Sequence, residues 1–198
     1  MMNKKYPENT FELPHDFEEY LVMDLLQNRK ELKTISILSL VIVIVMVVLG
    51  ILILNMTDAH GEFSWGGFLL KAVVLVFGIL LYMVLHELVH GVFIKKYSGK
   101  KAYYGYGFGY AYASSDAYFN KKSYIVIALS PVILWGIVLL VLNFVLPFSW
   151  FWVIYGIQIM NLSGAAGDFY VSYKISNLTD NILIFDSETK TIVYREKL

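Results

Sequence analysis

No cysteine occurs in the 198 residues, so disulfides and thiolate metal sites are excluded, and any bound metal has only His, Asp or Glu to hold it. Charge is scarce as well. Asp, Glu, Lys and Arg make up 16% of the chain, against about a quarter in an ordinary soluble domain. Formal net charge is zero, which removes any global electrostatic basis for binding nucleic acid or another polyanion. A basic leader followed by a short apolar run is also missing: residues 1 to 33 carry the acids Glu8, Glu12, Asp16, Glu18, Glu19, Asp24 and Glu31 around a break at Pro14. What is there is apolar. Hydrophobic residues are 58% of the chain and the mean hydropathy is +0.59, values that point to lipid as the solvent.

Residues 34–56 contain no charge and would extend about 35 Å as a helix, enough to cross a hydrocarbon core of about 30 Å. Three further apolar stretches follow, from Gly67 to about Lys95, from about Ser123 to Leu146 and from about Trp150 to Lys174. Four spans are therefore expected. Lys95, Lys96, Lys100, Lys101, Lys121 and Lys122 lie between the second and third stretches, while the loops at 57–66 and 147–149 carry no Lys or Arg, so the Lys-rich loop and both termini are expected in the cytoplasm. Trp150 and Trp152, near Phe148 and Phe151, read as an interfacial aromatic belt. Before the first span, Leu13, Phe17, Tyr20, Leu21, Met23, Leu25 and Leu26 are spaced as an amphipathic helix lying on the membrane or as a packed cytosolic cap.

Inside the second stretch lies His86-Glu87-Leu88-Val89-His90. Histidines four apart share one face of a helix, so two imidazoles can grip one tetrahedral ion while the intervening Glu addresses a water. Ionisable residues in a membrane helix are costly to insert and mark function by default. A catalytic zinc takes a third protein ligand at the same depth. His15 and His60 lie elsewhere along the chain, and Asp168 is the only other carboxylate inside an apolar run. Counting residues from the span ends puts both sites roughly 8 to 15 Å below the cytoplasmic face. The expected metal ligands are thus His86, His90 and Asp168, with one Zn²⁺ and Glu87 as general base.

Asn161 precedes Asp168 by seven residues, two turns on one face of a continuous helix, where it could bond a substrate carbonyl or tie helices together. Pro131, at similar depth, frees a carbonyl for the site or for a water. From 104 to 113 aromatics alternate with Gly or Ala, the pattern of a strand with one bulky face. Tyr106, Phe108 and Tyr110 are expected to offer an extended substrate an edge; a plug at the cytoplasmic entrance is the competing reading. Asn181 to Phe185 and Thr191 to Tyr194 read as a small hairpin without identifiable chemistry.

With these residues in view, the chain resembles site-2 protease type intramembrane zinc metalloproteases, and more closely the small bacterial membrane zincin peptidases. The likeness rests on His86-Glu87-Leu88-Val89-His90-Gly91, the Lys-bounded loop, Asn161 and Asp168, over roughly residues 67 to 174. It implies zinc on His86, His90 and Asp168, water activation by Glu87, and a location in a bacterial cell membrane. One departure is Gly167-Asp168-Phe169, where larger members carry Asp-Gly. The resulting expectation is an all-α polytopic membrane protein: an N-terminal segment at 1–33, a four-helix core at 34–174 with a small cytoplasmic β element after the HExxH helix, and a β-like tail at 175–198. Its function would be hydrolysis of peptide bonds in membrane-associated substrates near the cytoplasmic face. A zinc-holding adaptor without turnover, or a metal or small-solute transporter, would use the same buried ligands. Oligomeric state is not encoded in any of these features.

Overall fold

The computed structural model describes residues 7–56, 64–107, 110–187 and 190–197. In chain order the elements are β1 (Phe17–Asp24), α1 (Arg29–Asn55), α2 (Trp65–Ser98), β2 (Tyr103–Gly107), β3 (Tyr110–Ser114), β4 (Tyr118–Asn120), α3 (Lys121–Val145), a 3-10 turn (Phe148–Trp150), α4 (Phe151–Gly164), α5 (Ala166–Ser176), β5 (Ile182–Ser187) and β6 (Lys190–Glu196). Among the described residues α1, α2 and α3 are long and apolar enough to cross a membrane. In the most apolar window of α1, and likewise of α2, only 6% of residues are buried, and side chains such as Phe77 and Phe144 stand outward. Such surface would aggregate in water and is solvated in hydrocarbon.

The expected all-α, four-span architecture does not hold. Three helices, not four, are long enough to span, and six strands form two antiparallel sheets. The fourth apolar stretch is two short helices, α4 and α5, separated at Ala165 (φ −80°, ψ 13°). The break falls within Gly164-Ala165-Ala166-Gly167, where each glycine disfavours helix by about 1 kcal/mol relative to alanine. It also puts Asp168 in the first turn of α5, where a carboxylate meets the positive end of the helix dipole.

The chain divides into two compact units. One comprises residues 36–86 and 132–166; its core is Tyr82, Leu139 and Ile157 with Leu75, Ile79 and Trp135 packed around them. The other comprises residues 1–35, 87–131 and 167–198. It holds the four-stranded sheet, in the order β1-β6-β5-β4, and the β2–β3 hairpin. Its core gathers Met23, Phe119, Ile127, Val171, Ile175, Ile184 and Val193. Asn28 and Asn120 mark the starts of α1 and α3, their side-chain oxygens accepting from the backbone N–H groups of Lys30 and Ser123 at 3.1 and 2.8 Å.

Where an amphipathic helix is one of the two readings of residues 13–26, the structure has the strand β1, paired antiparallel with β6 from Phe17 opposite Glu196 to Asp24 opposite Lys190. An irregularity between Glu19 and Leu21 interrupts its alternation, which is why the apolar spacing mimics a helix period. The aromatic run at 104–113 is likewise a hairpin, not one strand. Its register pairs Tyr104 with Ala113, Gly105 with Tyr112, Tyr106 with Ala111 and Gly107 with Tyr110. Cross-strand partners share a face, so Tyr104 and Tyr106 emerge on one side and Tyr110 and Tyr112 on the other. Neither face is bare. Each ring of β3 covers a glycine: a Cβ built on Gly105 would lie 2.3 Å from the Tyr112 ring.

Candidate metal centre

α2 is apolar for most of its length and turns polar at His86, Glu87 and His90. The helix runs unbroken through these residues, so the two imidazoles are held one turn apart by helical geometry alone. One ligand atom from each of His86, His90 and Asp168 falls within a set whose members all lie within 4.8 Å of one another. The His90 Nε2 to Asp168 Oδ1 separation is 3.9 Å, slightly wider than the edge of about 3.4 Å that tetrahedral zinc with N and O ligands requires. Asp168 is 27% exposed at its side chain and His90 12%, so the cluster is sheltered but reachable.

Each histidine has its outward nitrogen already committed. His90 Nδ1 is 2.9 Å from the Ile127 carbonyl, which can only accept, so Nδ1 carries the proton and Nε2 keeps its lone pair. That carbonyl is available for a definite reason. Within a helix it would bond the N–H of residue 131, and residue 131 is proline. His90 and the Ser130 hydroxyl, at 2.9 Å, take the place of the missing donor.

His86 is fixed by a longer chain. The Asn161 amide nitrogen donates to the Val132 carbonyl at 3.2 Å, which turns Asn161 Oδ1 toward Tyr82. The Tyr82 hydroxyl donates to that oxygen at 2.9 Å and therefore accepts from His86 Nδ1, 2.7 Å away. The neutral ring is thereby held as the Nδ1–H tautomer, which makes Nε2 the atom able to bind a metal. Asn161 is fully buried. The break at Ala165 means that it does not share a continuous helical face with Asp168, and its amide serves protein partners.

A second polar group sits in the sheet-bearing unit. The Asp186 carboxylate on β5 accepts from the Tyr124 hydroxyl at 2.8 Å and from the Thr191 hydroxyl at 3.0 Å. Burial pushes its carboxyl up to about 6; the two hydroxyls oppose the rise, and the charge of Asp168 adds to it. The C-terminal hairpin thus reaches the electrostatic neighbourhood of the cluster. Of the aromatic residues expected at the substrate, Tyr106 is 89% exposed, Tyr110 is half-buried and Phe108 lies outside the described residues.

The chain matches, over residues 79–183, the model of a family described as "Putative zincin peptidase". It belongs to that family. No curated protein and no solved structure matches it. The matched segment contains the HExxH turn, Pro131, Asn161 and Asp168, so the zincin assignment and the donor cluster coincide in one stretch of chain. Zinc is the ion that a zincin peptidase implies, and a carboxylate with two neutral imidazoles is a donor set suited to it.

Sequence reasoning missed Tyr82, Ile127 and Asp186. Two of them follow from counting: Tyr82 is four residues before His86, on its face of α2, and Ile127 is four before Pro131. Asp186 gives no such signal, because Thr191 is brought to it by the β5–β6 pairing and Tyr124 by the packing of α3.

Proposed function

We propose that the chain is a zinc-dependent endopeptidase of the site-2 protease type, which holds one Zn²⁺ on His86, His90 and Asp168 and hydrolyses peptide bonds of membrane-associated substrates near the cytoplasmic face. The observation that carries this reading is that ligand atoms of His86, His90 and Asp168 lie within 4.8 Å of one another while the Nδ1 atom of each histidine is bonded to a protein group. A cluster serving only to tie helices together has no need of such control.

Bound zinc supplies Lewis acidity, which acidifies a water and polarises the scissile carbonyl. The remaining work falls to the chain. Glu87, between the ligands on α2, takes a proton from the attacking water and returns it to the leaving amide nitrogen. Tyr82 and Asn161 keep His86 in its binding tautomer, and Ile127 does the same for His90. The hairpin bearing Tyr106 and Tyr110 presents the substrate in extended form. The Lys-rich segment between α2 and α3 and both ends of the chain are taken as cytoplasmic.

The test is co-expression of single-span reporter proteins with the parent and with Glu87→Gln, scored for a shortened product, alongside bound zinc by elemental analysis. The reading requires product from the parent alone and about one zinc in both. Equal product from both removes Glu87 as base; stoichiometric zinc without product in either leaves a metal-holding adaptor.

A further inference from the structure

Beside the β2–β3 hairpin lies a cavity of about 450 Å³ that no step above uses. That volume falls within the range of small-ligand pockets. Tyr103, Tyr112 and Phe185 give it aromatic walls, and Asp116 and Lys190 are its charged groups. Tyr103 and Tyr112 stand on the same face of the hairpin by register. Tyr104 also lines it and ties it to the metal-bearing helix: a Cβ built on Gly91, the residue after His90, would lie 1.8 Å from the Tyr104 hydroxyl. Only glycine leaves room for that approach.

The polar groups favour a cation. The Tyr103 hydroxyl donates to Asp116 Oδ2 at 2.9 Å, which orients the carboxylate at the mouth and increases the electron density of the ring. Lys190 brings the opposite charge, but its ammonium is 3.5 Å from Asp24 Oδ2 and so is already met. With Lys190 met by Asp24, Asp116 is the carboxylate that lines the cavity, beside electron-rich rings that attract cations through their faces.

We propose that this cavity is a specificity pocket for a Lys or Arg side chain of the substrate. The proposal rests on the peptidase reading and gives its substrate class: a chain whose basic residue follows its membrane segment. Such residues are where a single-span protein concentrates Lys and Arg, a few residues from bonds that a sheltered site next to Tyr104 would reach. Arg is the better occupant, since its planar guanidinium both stacks on tyrosine and pairs with a carboxylate.

The experiment uses full-length, zinc-loaded Glu87→Gln in detergent and a short fluorescein-labelled peptide with one central Arg, compared with its Gln and Glu counterparts by fluorescence anisotropy. The Arg peptide is expected to bind about tenfold more tightly than the Gln peptide. Adding Asp116→Asn should bring the two close together, and Asp116→Lys should favour the Glu peptide, with bound zinc unchanged. Asp116 is exposed in a turn, so neither change threatens the fold. Equal binding of the Arg and Gln peptides, or an Arg preference that survives Asp116→Lys, overturns the proposal. The same sequences placed beside the span of a reporter test the parent enzyme separately. Preferential binding without cleavage by the parent sinks the peptidase reading and keeps the pocket; cleavage indifferent to the basic residue does the reverse.

Discussion

Changing Tyr82 to Phe removes one oxygen from the interior and leaves the ring in place, including its edge-on packing against His86 at 5.6 Å between centroids. That oxygen joins His86 Nδ1 at 2.7 Å to Asn161 Oδ1 at 2.9 Å. Without it a buried donor and a buried acceptor lose a partner, each at a cost of about 1–3 kcal/mol. The imidazole is also released to adopt the other tautomer, which points an N–H where the metal needs a lone pair. Loss of such an outer partner lowers metal affinity roughly 10- to 100-fold, equivalent to about 1.4–2.7 kcal/mol. The assay is zinc affinity of the detergent-solubilised protein by competition with a chromogenic chelator, with His86→Ala and Asp168→Ala as the fully disrupted references. Tyr82→Phe should fall between these and the parent. An affinity within about twofold of the parent, while His86→Ala loses its zinc, would refute the argument that Tyr82 sets the tautomer.

Pro131→Ala restores an N–H that competes with His90 for the Ile127 carbonyl; zinc should bind more weakly, by no more than about tenfold because a carbonyl can accept twice, and the same chelator competition reads it. Asp186 sets a pH dependence of stability. Its folded value of about 6 lies above the ordinary 3.8, so between these values the native state retains a proton that the unfolded chain has released. Its contribution is therefore most favourable below about pH 4 and declines as pH rises through 6, by roughly 3 kcal/mol in all. Asp186→Asn should flatten that decline and raise the melting temperature at pH 7 relative to the parent, measured on chelator-treated protein from acid to neutral pH.

Local patterns carried the parts of the molecule that local geometry decides. The helical period at His86 and His90, the β-rich runs of β5 and β6, and the lone carboxylate in the last apolar stretch are all readable from neighbours in sequence, and the structure brings His86, His90 and Asp168 together. The errors come from strand pairing and a helix break, which hydrophobic spacing alone does not show. β1 has apolar spacing compatible with a helix and is a strand because β6 supplies its hydrogen bonds. The aromatics at 104–113 separate onto two faces because each even-numbered residue pairs with an odd-numbered one, a fact of register. The four-span expectation treated residues 150–174 as one helix, whereas two glycines and a helix-starting Asp168 favour a break.

The sheet order β1-β6-β5-β4 has a temporal consequence. β1 is made before β6, so it lacks this strand partner through the synthesis of all the described helices. Tyr124, one turn before the carbonyl that steadies His90, gains its Asp186 partner only when that final hairpin emerges. An unfinished chain already carries both histidines on α2 but lacks the clasp that locks the start of α3. Assembly around the candidate metal cluster is thereby tied to synthesis of the β5–β6 hairpin.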